Sequence, residues 1–282
     1  MSIANRPTSQ EAQKITRKAL ILILLTELLL LPACSASKSQ GQDGRQLIVF
    51  AAASLTDAFT EIGEQFEENY PGTKILFNFA GSQQLAQQLN QGAPADVFAS
   101  ADGEQMQIAV GGGRIAEDAP QPFVENALVV VYPEGNPGSL QRLQDLARPG
   151  LKIVLAAEPV PAGRYALEFL DKASQDPAFG ENFRGEVLQN VASYEENVRA
   201  VLTKVVLGEA DAGIVYVSDA FSASPDKIRT LEIPVAFNVR ANYPIASISD
   251  TAHADLTNDF IDFVLSNAGQ NILADNGFTP IR

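Results

Sequence analysis

Two hydrophobic periods follow one another at the start of the folded chain. Leu47, Ile48, Val49 and Phe50 form an unbroken apolar run, the pattern of a strand covered on both faces. Immediately afterwards Leu55, Ala58, Phe59, Ile62 and Phe66 recur at helical spacing and share one face of a helix. The join is Ala51-Ala52-Ala53-Ser54-Leu55-Thr56-Asp57, in which Ser54 and Asp57 form the Ser-x-x-Asp pattern of a helix N-terminus. Ser54 there has two readings. It caps the helix, or it joins the free N–H groups and positive dipole end of that helix in holding an anion.

The alternation continues. Residues 74–79 alternate as a strand, Gly81-Ser82 opens a helix carrying Leu85, Ala86 and Leu89, and a Gly-Ala-Pro turn leads into a buried strand over 95–99. This order predicts an α/β fold with mainly parallel sheet flanked by helices. Ser82 repeats the position of Ser54, behind a glycine that lets backbone approach a bound group. Such joins lie at the carboxyl ends of parallel strands, where open α/β sheets bind ligands. Gly111-Gly112-Gly113 reads as a surface turn, because no Lys-Ser/Thr follows it to make a phosphate loop.

A fully apolar strand over 126–133 starts a second series: a short helix at 143–146, a strand over 151–156, and the stiff turn Pro159-Val160-Pro161-Ala162-Gly163 before a helix with Tyr165, Leu167, Phe169 and Leu170. That turn is either a rigid connection or, through the bare N–H groups of Ala162 and Gly163, a third anion contact. Residues 194–199 open a helix containing Val201, Leu202 and Val205, and a buried strand within 211–220 ends in the aromatic hydroxyl of Tyr216, placed in the core or reaching into a cleft. Strands over 235–239 and 243–246 and one helix over 254–273 complete the prediction.

Length and charge narrow the function. At 282 residues with 46% hydrophobic content the chain suits two filled cores. Arg6, Lys14, Arg17 and Lys18 precede an apolar run over 19–31, so residues 1–33 read as an export signal and stand apart from the fold. Leu31-Pro32-Ala33-Cys34 resembles the lipobox of bacterial lipoproteins, which makes Cys34 the expected lipidation site and 34–45 a polar tether to the membrane. Cys34 is the sole cysteine, so an internal disulfide is impossible. Without residues 1–33 the remainder carries a net charge of −16, a surface that repels nucleic acid and anionic lipid. A small anion is still acceptable to a site built of oriented dipoles.

Catalytic chemistry finds little support. His253, the single histidine, lies in a polar stretch and reads as exposed, and there is no His/Cys metal cluster. Ser35-x-x-Lys38 falls in the tether, and Glu67-Glu68 and Glu195-Glu196 read as solvated helix faces and starts. A secreted hydrolase is therefore the weaker alternative to a binding protein.

Seven segments, in order, resemble the periplasmic molybdate-binding proteins of ABC transporters: Ala-Ala-Ser-Leu-Thr, Phe-Ala-Gly-Ser with Leu-Ala, Gly-Ala-Pro-Ala-Asp-Val-Phe, Val-Pro-Ala-Gly-Arg-Tyr-Ala, Glu-Asn-Val-Arg, Gly-Ile-Val-Tyr-x-Ser-Asp-Ala and a closing Gly-Phe. The resemblance spans about residues 47–278. It implies a two-lobed periplasmic-binding-protein fold of type II, with lobe I from 46–126 and 242–282, lobe II from 127–241, and a hinge of two crossings near 125–128 and 242–245. It implies molybdate or tungstate held by Ser54, Ser82, Ala162, Val198 and Tyr216, with no cofactor. It also implies a monomer on the periplasmic side of the plasma membrane, lipid-anchored through Cys34, that delivers to an ABC permease. Gln83 and Gln84 stand where the family often has further hydroxyls. None of the five contacts is cationic, so the grip would come from neutral donors. Sulfate and phosphate are the alternative solutes.

Overall fold

The structure, a computed structural model, describes residues 45–281; the export signal, Cys34 and all but the end of the expected tether lie outside the described residues. In chain order the elements are β1 (Arg45–Ala52), α1 (Thr56–Asn69), β2 (Thr73–Ala80), α2 (Ser82–Asn90), β3 (Val97–Ala99), α3 (Gly103–Gly111), β4 (Gln121–Asn126), β5 (Leu128–Pro133), β6 (Ile153–Ala156), α4 (Pro161–Ser174), α5 (Phe183–Gln189) and β7 (Val191–Glu195). There follow α6 (Val198–Val206), β8 (Ala212–Tyr216), α7 (Val217–Ser222), β9 (Ile228–Glu232), β10 (Ala241–Ser247), α8 (Ala254–Leu265), α9 (Asn267–Asp275) and β11 (Thr279–Pro280). A 3-10 turn, Ala53–Leu55, lies between β1 and α1, and a second, Leu143–Ala147, precedes β6.

The strands form two mixed sheets, one of order β11-β4-β10-β3-β1-β2 and one of order β7-β6-β8-β5-β9. The α/β fold class is as the sequence predicts. In the first sheet β1 pairs in parallel with β2 along its whole length, from Arg45 opposite Thr73 to Ala52 opposite Ala80. That register sets the 53–54 and 81–82 joins side by side. In the second sheet Ala156 of β6 stands opposite Glu195 of β7, and Gly213 of the parallel β8 opposite Val154, so three strand ends again share one edge.

Two segments carry the chain between sheets. Ala127 separates β4 from β5, so the apolar run over 126–133 is two strands of different sheets rather than one. The return runs from β9 to β10, and Asn238 ties it down by accepting from Leu128 N at 3.0 Å and donating to Leu128 O at 2.9 Å. This turn occupies the 235–239 region expected as a strand. Pro234 supplies no N–H to a ladder, and Val235 is left 92% exposed.

Other departures have local causes. The single helix expected over 254–273 is two, because the Ser266 side chain accepts from Gly269 N and starts α9 afresh. Residues 194–195 belong to β7 rather than to a helix lead-in, and α6 begins only at Val198. The strand expected within 211–220 stops at Tyr216, where α7 takes over.

Each sheet is packed by its helices. Beneath the first, Phe59 of α1 meets Phe123 of β4 and Phe260 of α8 at centroid distances of 5.8 and 6.2 Å. Beside the second, Phe169 and Leu170 of α4 and Val201 and Val205 of α6 are fully buried. These cores hold the strand ends rigidly, and the loops they launch face one another.

Candidate functional site

Ser54, Ser82, Ala162, Val198 and Tyr216, the five residues expected at the site, all line one small cavity. Each arrives from the carboxyl end of a strand. Ser54 sits in the 3-10 turn after β1, and Ser82 is the first residue of α2 after β2. Ala162 and Val198 stand in the first turns of α4 and α6, and Tyr216 closes β8. All five are at most 4% exposed.

The donors follow from position. N–H groups in the first turn of a helix have no intrahelical acceptor, so those of Ser82, Ala162 and Val198 are available to a ligand. Asn197, the N-cap of α6, spends its side chain on Ala200 N at 3.0 Å and leaves the Val198 N–H alone. Gly163 permits the tight entry to α4, since a Cβ there would lie 2.1 Å from the Ala157 carbonyl oxygen.

The side chains add hydroxyls. Ser82 Oγ accepts from Ala101 N at 3.0 Å, so its own hydrogen is free to donate. Ser54 does not cap α1: Leu55 is the N-cap residue, and Ser54 Oγ lies 2.9 Å from Tyr243 Oη on β10. The Tyr216 hydroxyl is buried without a hydrogen-bond partner. Burial, with the nearby Tyr243 hydroxyl and the Asp102 and Asp219 carboxylates, pushes its pKa well above the ordinary value, so it keeps its proton. A buried, unpartnered donor at a cavity wall is the signature of a site shaped for an acceptor.

No charged residue lines the cavity. The two arginines nearest in sequence to its walls are committed elsewhere. Arg164 of α4 pairs with Asp102 at 2.5 Å and Glu104 at 2.6 Å, both at the start of α3 on the opposite half. Arg199 of α6 pairs with Asp219 at 2.9 Å and reaches across to Asp57 of α1. Gln83 Nε2 donates to the Glu196 carbonyl oxygen at 2.8 Å, and Gln84 Nε2 to the Glu196 carboxylate at 3.1 Å. The two glutamines therefore fasten one half to the other. Gly81 makes room for this, since a Cβ on it would lie 2.6 Å from the Glu196 carbonyl oxygen.

Sequence reasoning did not single out Tyr243, Asn126, Asp102 or either arginine, and it read Glu196 only as a solvated helix start, whereas Gln83 and Gln84 bond it across the cleft. Arg164 and Arg199 were within reach, each adjoining or near a predicted backbone donor; the others act through contacts distant along the chain. Among the described residues no group of His, Cys, Asp and Glu is placed to hold a metal ion, and His253 is exposed.

Two α/β halves joined by two chain crossings meet at a cavity lined by uncharged donors, the arrangement of a binding cleft rather than of a charged catalytic centre. A model of the family described as bacterial extracellular solute-binding protein matches residues 47–279, and the chain belongs to that family. It is 42% identical over 248 residues to the molybdate-binding protein ModA of Mycobacterium tuberculosis, covering 88% of this chain and 89% of that one. Two solved structures share the fold. The periplasmic molybdate-binding protein of Azotobacter vinelandii superposes with a TM-score of 0.71 at 17% identity, covering 84% of this chain and all of that one. The sulfate-binding protein SubI of M. tuberculosis gives 0.75 at 17%, covering 84% and 87%. The family is one of transport proteins, not an enzyme class, and no helix among the described residues is long and apolar enough to cross a membrane.

Proposed function

We propose that the protein captures molybdate, and equally tungstate, between its two halves and delivers it to an ABC permease. The observation that carries this is the convergence of Ser54 and Ser82 from one half with Ala162, Val198 and the unpartnered Tyr216 hydroxyl from the other. The likeness to molybdate-binding relatives at 42% identity supports the choice of anion. Each charge-assisted hydrogen bond contributes about 1.5–3 kcal/mol, so five or more suffice for tight binding of a dianion without a buried cation.

The same cage discriminates. Sulfate has shorter bonds to oxygen and cannot reach donors set for a larger tetrahedron. Phosphate near neutral pH carries a proton, and no carboxylate lines the cavity to accept it. Molybdate and tungstate, nearly equal in size, are not separated.

In this reading lobe I comprises residues 46–126 and 242–282 and lobe II residues 127–241, turning about the crossing at 125–128 and about the return between β9 and β10 rather than the expected 242–245, which lie within β10. The ion pairs of Arg164 and Arg199 and the glutamine contacts to Glu196 hold the closed form. The mature protein works as a monomer on the periplasmic face of the plasma membrane, anchored by lipid on Cys34, which mass spectrometry of the mature N-terminus would check. It performs no catalysis.

Titration calorimetry with molybdate, tungstate, sulfate and phosphate tests the assignment. The first two are expected to bind more tightly than about 1 μM and the last two at least about a hundredfold more weakly. Absence of heat with molybdate and tungstate, or preference for sulfate, would overturn it.

A further inference from the structure

Tyr243 is among the largest fully buried side chains, yet it lies just outside the wall of the cavity. It stands on β10 where the pairing with β4 shifts register between Tyr243 and Pro244. Proline has no N–H for the ladder, and a bulge at that point re-aims the neighbouring side chain. The Tyr243 ring packs edge-on against Phe123, Tyr216 and Phe278, and its hydroxyl emerges beside Ser54 Oγ at 2.9 Å.

The groups behind that hydrogen bond bear on its direction. Asn126 Oδ1 accepts from Ala127 N at 3.0 Å, which fixes the amide with its nitrogen turned inward. Asn126 Nδ2 donates to Ser218 Oγ at 2.8 Å and faces Tyr243 Oη at 3.5 Å. An amide nitrogen only donates, so the tyrosine oxygen receives on that side, which leaves its own hydrogen able to point to Ser54 Oγ. With Tyr243 as donor, Ser54 accepts on that side and has its hydrogen free for the cavity. Burial holds the Tyr243 pKa well above the ordinary value, so the proton stays in place.

We infer that Tyr243, oriented by Asn126, is a positioning residue that sets the Ser54 hydroxyl as a one-way donor to the bound oxyanion. This rests on the oxyanion reading of the cavity. The chain also runs through both halves: Asn126 is the last residue before the crossing at Ala127, and Ser218 belongs to α7 on the other side. An anion that pulls on Ser54 thus pulls on a hydrogen-bonded file anchored at the crossing.

A double-mutant cycle with molybdate as the calorimetric probe tests this, using the wild type, Tyr243→Phe, Ser54→Ala and the pair. Tyr243→Phe keeps the ring and its packing, and is expected to weaken binding about tenfold, the worth of one well-made buried hydrogen bond. In the Ser54→Ala background the same change is expected to cost nothing more, because the hydroxyl it orients is gone. A merely structural role for Tyr243 would make the losses add. Wild-type affinity in Tyr243→Phe, or full additivity, would overturn the inference. A wild-type protein that gives no heat with molybdate would instead sink the oxyanion reading, so the two failures are told apart. Should Tyr243→Phe not fold, as judged by circular dichroism, Asn126→Leu asks the same question: a several-fold loss that vanishes beside Ser54→Ala supports the file, and an unchanged affinity refutes it.

Discussion

Gly81→Ala separates closure from folding. Gly81 has φ −61° and ψ 137°, an extended conformation open to any residue, so alanine brings no backbone strain to its own half. The added Cβ meets two things: the movable end of the Gln83 side chain at 2.5 Å and the Glu196 carbonyl oxygen, across the cleft, at 2.6 Å. The second cannot swing aside. Restoring ordinary contact at 3.4 Å needs the halves to part by about 0.8 Å at this point. A donor that sat at about 2.8 Å then stands near 3.6 Å, beyond useful hydrogen-bond range. Three donors come from the far half, those of Ala162, Val198 and Tyr216. Losing two of them at about 1.5–3 kcal/mol each amounts to about 3–6 kcal/mol. With relaxation absorbing half, about 1.5–3 kcal/mol remains and molybdate binding falls about ten- to a hundredfold. Calorimetry reads the affinity, small-angle scattering the failure to close, and the melting temperature of the ligand-free protein should stay at the wild-type value. Binding within about threefold of wild type, with normal compaction on adding molybdate, would refute the steric argument. A collapse of the ligand-free melting temperature would show instead that Gly81 serves the fold of its own half.

Two further outcomes follow from buried polar groups. Tyr216→Phe removes a hydroxyl that has no partner in the protein, so the ligand-free protein should melt at an equal or higher temperature while molybdate affinity drops at least about tenfold; a destabilised variant with normal affinity would show that the hydroxyl belongs to the core. Asp219 is raised to about 6 by burial, against the pull of Arg199 and the Tyr216 N–H. Its folded pKa exceeds the unfolded one, so the folded state holds the proton more tightly, and the contribution to stability is full below about pH 4 and lost as pH rises through about 6. Compared with Asp219→Asn, the wild type should therefore lose relative stability from pH 4 to 6 and level off above; a difference independent of pH would contradict this.

The sequence made the site more legible than its surroundings. Ser54 and Ser82 were found because an apolar run, or a two-residue alternation, giving way to a helical period marks a strand end, and β1 and β2 are long and in register. Ala162 and Tyr216 were open readings from a helix start and a strand end that the family resemblance decided, and Val198 came from the resemblance alone. What stayed hidden was of two kinds. Short edge strands have weak patterns: β7 alternates only between partial and full exposure, with Tyr194 54% exposed, and so read as the lead into α6. Contacts distant in sequence leave no local trace. Ser54 has the spacing of a helix cap, yet its hydroxyl is claimed by a residue 189 positions later, and no periodicity reports that. The 235–239 segment shows the converse error, an apolar alternation that the need of Asn238 to clasp Leu128 turns into a bend.

In the proposed site two contacts, at Ala162 and Val198, are made by main chain alone. Evolution can exchange those side chains for others of suitable bulk and leave the chemistry presented to the solute untouched. Surveys that track residue type will undercount how faithfully such a receptor is kept, and ordinary point substitution cannot silence either group. Only proline, which the opening turn of α4 already tolerates at Pro161, deletes the hydrogen and spares the helix.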